Sequence, residues 1–102
     1  MTYEYYLNLV KVAAEFYDED KFLVEVGCPP EISLETEEFI KAIHIIYVVA
    51  NGSFTELVEG FKSLQVSKKY GIPYRTVQDW YAGKRTMPGY VKQLIGYTMI
   101  YD

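Results

Sequence analysis

Cysteine and histidine are almost missing from this chain of 102 residues, which contains one of each, Cys28 and His44. A single cysteine cannot form a disulfide within the chain. An ordinary zinc site takes about four nitrogen and sulfur ligands, so one cysteine and one histidine are too few. We therefore expect no metal and no cofactor. We assign no chemistry to Cys28, and we predict that His44 is a core or interface residue.

Long hydrophobic runs are also absent. The longest nearly apolar stretch, residues 42–50, has nine residues and includes His44, whereas a membrane span needs about 20. The chain begins with an acid at Glu4 and no basic residue, unlike a secretory signal peptide. We expect a protein that is not in the membrane, in a reducing compartment, most simply the cytoplasm.

The chain lacks the residue sets on which most enzymes depend. There is no glycine-rich phosphate loop, and the lone histidine leaves no Ser/His/Asp set. Glu37 and Glu38 are adjacent, so on a helix their side chains diverge by about 100°. Acids are also favoured in the first turn of a helix, which explains the pair without catalysis. We expect no enzymatic activity.

Basic residues are scarce in the first part of the chain and enriched in the second. Residues 1–61 contain three lysines and twelve acids, a net charge of −9, whereas residues 62–102 contain seven bases and two acids, a net charge of +5. This split favours a polyanionic partner for the C-terminal part only. Internal pairing of acidic and basic faces, or pairing with a second copy, explains it equally well.

The apolar spacing predicts helices and no convincing sheet. A helix is expected over residues 3–17, and residues 22–26 read as helix or irregular chain, because a strand there would have no partner. Gly27–Pro30 is a break. Ser33 or Thr36 then caps a helix to Ala50, and Ser53 begins a short helix whose inward residues are predicted as Phe54, Leu57, Val58 and Phe61.

Two further helices are joined by a tight turn. We predict one that is capped by Ser63, runs through Tyr70 and is ended by Gly71, and a second over residues 73–81 beginning at Pro73. Leu64, Val66, Ser67 and Tyr70 are predicted to face inward in the first, and Thr76, Val77 and Trp80 in the second. A last helix after Pro88 has the predicted stripe Val91, Leu94, Ile95, Met99 and Ile100. This is a helix-turn-helix arrangement.

The residues from Ser63 to Pro88 resemble the phage-repressor (Cro/Xre-type, lambda-repressor-like) helix-turn-helix family. The features that carry the resemblance are a small residue four before the turn glycine, a glycine-aliphatic pair, a threonine-aliphatic pair, and a glycine followed by basic residues and a proline. Here they are Ser67, Gly71-Ile72, Thr76-Val77, Gly83-Lys84-Arg85 and Pro88. As topology, the resemblance covers residues 54–100. Residues 1–50 resemble no family.

The resemblance implies that the helix at residues 73–81 lies in the DNA major groove. Arg75 would read guanine, Tyr74 a thymine methyl or a phosphate, and Gln78 adenine or a phosphate. Asp79 would accept from cytosine or pair with Arg75. The implied backbone contacts are Lys62, Ser63, Lys84 and Arg85.

We therefore expect an all-α domain of about five or six helices, in which residues 1–52 form an acidic helical region and residues 53–102 bind DNA. The expected function is that of a sequence-specific transcriptional regulator, a repressor, antitoxin-like protein or mobile-element regulator, acting as a homodimer. Because Tyr3, Tyr5 and Tyr6 exceed what one helix face can bury, residues 1–50 are candidates for a dimer or protein interface, although they also fit a simple core. The alternative function is a protein-interaction module that retains the fold. It is favoured by the acidic first half and by Tyr81 at a commonly acidic position.

Overall fold

The computed structural model describes residues 1–27, 36–59 and 61–100, which contain seven α-helices and no strand. The helices are α1 (Tyr3–Ala13), α2 (Glu19–Val26), α3 (Thr36–Asn51), α4 (Phe54–Leu57), α5 (Ser63–Tyr70), α6 (Tyr74–Tyr81) and α7 (Gly89–Ile100). The all-α prediction is confirmed, with seven helices where five or six were expected. The expected features at Cys28, Pro29, Pro30, Ser33 and Glu35 lie outside the described residues.

The central element is α3, which contacts α1, α2, α4 and α7. Its apolar side chains Ile43 and Ile46 are buried together with Tyr6 of α1 and Ile95 of α7 in one cluster. The two halves of the sequence therefore share a core. None of the helices in the described ranges is long and apolar enough to cross a bilayer.

The last helix approaches α1 and α3 very closely at Gly96. A Cβ atom at that position would overlap Val49 Cγ2 and lie 2.7 Å from Tyr6 Oη. The Tyr6 hydroxyl donates to the Gln93 carbonyl at 2.6 Å, and burial raises the pKa of this hydroxyl above its usual value. A glycine and a tyrosine thus fix where α7 crosses the N-terminal helices.

The N-terminal tyrosines are packed within the chain. Tyr6 is fully buried, and Tyr3 and Tyr5 are half-buried against the core. The Tyr3 ring lies 5.7 Å from that of Tyr6 and 5.0 Å from that of Tyr97. Tyr97 of α7 supplies Tyr3 and Tyr6 with a packing surface beyond the face of α1 itself. This packing fits the alternative in which the N-terminal tyrosines complete a simple core.

The first helix is shorter than predicted. It ends at Ala13, and Tyr17 lies beyond it, fully exposed. Asn51 Nδ2 donates to the Ala13 carbonyl at 2.9 Å, and the Tyr47 hydroxyl donates to the Phe16 carbonyl at 3.0 Å. These two side chains of α3 donate hydrogen bonds to carbonyls at and just after the end of α1, where the chain turns into α2.

His44 was predicted to be a core or an interface residue, and the structure excludes the core. Its side chain is 59% exposed, and Nδ1 lies 2.8 Å from Glu19 Oε1, which links α3 to α2 at the surface. Three apolar side chains predicted to face inward, Phe61, Leu64 and Leu94, are likewise exposed. In α5 the buried side is centred on Val66 and in α7 on Ile95, so Leu64 and Leu94 lie off those faces.

Candidate nucleic-acid interface

The helix pair begins one residue earlier than the sequence indicated. Ser63 was predicted as the cap, but Lys62 is the N-cap and Ser63 is the first residue of α5. The Lys62 backbone N–H donates to Gln65 Oε1 at 2.7 Å, which is the side-chain to backbone half of a capping box. Gln65 therefore supplies the acceptor for the backbone N–H of the N-cap residue. The Lys62 side chain is exposed, and Ser63 is half-buried.

The turn between the two helices is held by Ser67. Gly71 adopts the left-handed conformation with φ of 64°, as predicted for the residue that ends α5. The Ile72 N–H donates to the Ser67 carbonyl at 3.2 Å, and Ser67 Oγ donates to the Ile72 carbonyl at 2.6 Å. One residue thus binds both backbone polar groups of Ile72. The sequence indicated only that Ser67 is small, and missed this role.

The second helix is anchored by its inner face. Val77 is fully buried, and Trp80 is partly buried with its ring edge-to-face against Phe54 at 5.7 Å. Tyr81 also packs edge-to-face on Phe54, at 5.3 Å, and its hydroxyl donates to the Phe61 carbonyl at 2.9 Å. Burial raises the pKa of the Tyr81 hydroxyl. Tyr81 therefore joins α6 to α4 and to the segment that follows α4.

The outer face of α6 is free of these contacts. Tyr74, Arg75 and Gln78 are exposed, with Tyr74 at 43%. Their spacing places all three within about one third of the helix circumference, opposite the buried Val77 and Trp80 side. Three of the four residues expected to reach base edges, all except Asp79, therefore share one accessible face.

The end of α6 carries two basic residues on a defined backbone turn. Gly83 has φ of 74°, its N–H donates to the Trp80 carbonyl at 3.2 Å, and the Lys84 N–H donates to the Asp79 carbonyl at 2.9 Å. This pair of bonds is the Schellman motif. It places Lys84 and Arg85, both exposed, immediately beyond the C-terminus of α6.

Asp79 faces these basic residues. Its side chain is 20% exposed, and Oδ2 lies 3.5 Å from Nε of Arg85. The sequence indicated cytosine and Arg75 as candidate partners of Asp79. Within the described residues, the basic partner of Asp79 is Arg85 and not Arg75. Helical spacing made Arg75 the visible candidate, whereas Arg85 is brought back to Asp79 by the turn at Gly83.

The predicted site residues thus fall into three groups: the exposed face of α6, the turn that follows it, and the start of α5. A scan against models of known protein families found no match, and searches of curated proteins and of solved structures found no significant match to this chain.

Proposed function

We propose that this protein is a sequence-specific DNA-binding regulator that inserts α6 into the major groove. The observation that carries the proposal is the two-sided character of α6. Val77 and Trp80 fix one side to the core, while Tyr74, Arg75 and Gln78 are exposed on the other. A recognition helix needs this combination, because base edges are read by side chains that a rigid scaffold holds in register.

The distribution of charge supports a nucleic-acid partner for this face. Arg75 lies on the exposed side of α6, Lys84 and Arg85 follow its C-terminus, and Lys62 is the N-cap of α5. We propose Arg75 and Gln78 as base-reading residues, with Tyr74 at a thymine methyl or a phosphate. Phosphate contacts, which give affinity without sequence preference, would come from Lys62, Ser63, Lys84 and Arg85.

Burial of Tyr74 and Arg75 against another element would have favoured the alternative function, a protein-interaction module. Both side chains are exposed. The acidic first half of the chain also motivated this alternative. Its helices α1 and α3 pack through their apolar sides against α7. We therefore favour DNA as the partner of α6.

The test is a selection from random duplex DNA at several salt concentrations, followed by sequencing of the bound fraction. We expect the chain to enrich a pseudo-palindromic site, with log affinity falling against log salt by about 0.9 per phosphate contact. Arg75→Ala should relax the preference at one base position, a loss of about 1–3 kcal/mol of discrimination. Lys21→Ala removes one positive charge from exposed α2 and serves as the matched control.

A Lys21→Ala variant that loses the site as fully as Arg75→Ala would indicate that only net charge matters. If the parent protein binds no duplex even at low salt, DNA is not its partner. The protein-interaction alternative would then account for the exposed face of α6.

A further inference from the structure

Asp79 occupies an unusual place among the residues of the proposed DNA-binding face. Tyr74, Arg75 and Gln78 are exposed, whereas the Asp79 side chain is only 20% exposed and its carboxylate lies against Arg85. An acidic residue within a surface that binds phosphates weakens binding through repulsion, unless it improves the phosphate contact of a neighbouring basic residue. The contacts of Asp79 indicate what that is.

Asp79 contacts the turn after α6 through both its backbone and its side chain. Its carbonyl accepts the N–H of Lys84 at 2.9 Å and that of Arg85 at 3.4 Å. Its Oδ2 lies 3.5 Å from Arg85 Nε. The backbone bonds set where the Arg85 main chain leaves the helix, and the carboxylate sets where its side chain goes.

The atom that Asp79 contacts decides what Arg85 can still bind. A guanidinium carries five N–H donors, one on Nε and four on the two terminal nitrogens. A carboxylate at Nε leaves the terminal nitrogens available, and the Arg85 side chain is 62% exposed. Arginine binds phosphate best through two parallel N–H donors, which the terminal edge retains.

We propose that Asp79 is a positioning residue that holds Arg85 by Nε and presents its terminal nitrogens to a DNA phosphate. Asp79 itself does not read a base. This inference rests on the proposed function, since it assigns a role within the same interface. It accounts for an acid on a basic face, because the acid restricts one arginine to the orientation that the phosphate requires.

The first arm of the test needs no DNA. In the free protein, NMR of arginine side chains should show a slowly exchanging Arg85 Nε–H. This signal should exchange faster in Asp79→Asn, with the backbone spectrum of α6 retained. An Arg85 Nε–H that is unchanged in Asp79→Asn overturns the proposal, whatever the protein binds.

The second arm measures DNA affinity for Asp79→Asn in three backgrounds: the parent, Arg85→Lys and Arg85→Ala. The Arg85→Ala background gives the effect of removing one negative charge alone. We expect Asp79→Asn to lower the DNA affinity about two- to fivefold more in the parent than in the Arg85→Ala background, the range for an ion pair of this exposure. In Arg85→Lys the charge is kept but there is no separate Nε, so this extra cost should vanish.

Equal effects of Asp79→Asn in all three backgrounds overturn the proposal. So does a changed base preference at one position of the selected site, because that would make Asp79 a base-reading residue. A parent protein that binds no duplex DNA overturns the proposed function, and with it the phosphate role of Arg85. The NMR result then still decides separately whether Asp79 holds Arg85.

Discussion

Single polar side chains fix the helix pair at the points where the backbone changes direction. Ser67 Oγ donates to the Ile72 carbonyl, and the Tyr81 hydroxyl donates to the Phe61 carbonyl. Each contact joins a side chain on a helix to a carbonyl in a connecting segment. Removing such a hydroxyl leaves a carbonyl without that donor, and the cost in stability is larger where water cannot take the place of the hydroxyl.

We predict that Ser67→Ala lowers the free energy of unfolding by about 1 kcal/mol, because the Ile72 carbonyl loses its donor at 2.6 Å. Denaturant unfolding followed by circular dichroism measures the change. Ser63→Ala is the matched control, since it makes the same chemical change in the same helix and should stay within about 0.5 kcal/mol of the parent. Equal losses in the two variants would mean that the Ser67 hydroxyl does not hold the turn.

At the scale of whole helices, the position of α7 depends on close approach rather than on its sequence pattern. Gly96 is buried where α7 meets α1 and α3, and the Tyr6 hydroxyl binds α7 at the Gln93 carbonyl. Lys92, also on α7, donates to the Gly52 carbonyl beyond the end of α3. Burial lowers the pKa of Lys92, and the nearby Glu56 acts in the opposite direction.

A glycine to alanine change within a helix ordinarily gains up to about 1 kcal/mol of helix propensity. We predict the opposite for Gly96→Ala, a loss of about 1–3 kcal/mol, because the new methyl group meets Val49 and Tyr6. Gly89→Ala, in the first turn of the same helix with nothing within 4 Å of its Cβ position, should be neutral or stabilising. Thermal unfolding of both variants gives the comparison, and a stabilised Gly96→Ala would show that α7 can move away.

At the scale of the molecule, the two halves of the sequence differ in charge but share one core. The buried cluster includes residues from α1, α3, α5, α6 and α7. Residues 1–52 and 53–102 therefore differ in their expected roles, while their apolar side chains pack together. The acidic and basic parts of the chain are therefore joined by one buried cluster.

We predict that the chain unfolds in a single transition. Trp80, the one tryptophan, reports on the C-terminal helices through its fluorescence, whereas far-ultraviolet circular dichroism reports on all helices. Because the core is shared, the two signals should give the same midpoint in urea. A fluorescence midpoint that is separated from the helical one would show that residues 53–102 unfold independently.

Much of the local structure was predictable from the sequence. Gly71 and Gly83 have the positive φ values that glycine adopts at helix ends, and Pro73 precedes a helix as its fixed φ favours. Val77 and Trp80 face the core because the helical period places them there. These features depend on a few neighbouring residues, so sequence alone was enough to locate α5, α6 and the turn between them.

Long-range contacts were decided only by the tertiary structure. The end of α1 depends on Asn51, 38 residues further along the chain, and the burial of the N-terminal tyrosines depends on α7. Asp79 pairs with Arg85 instead of Arg75 because the turn at Gly83 reverses the chain. The sequence by itself determined α5, α6, the turn between them and the exposed face of α6. The partners of its charged and aromatic side chains were set by how the helices pack, because those partners come from distant segments or across a turn that helical spacing cannot anticipate.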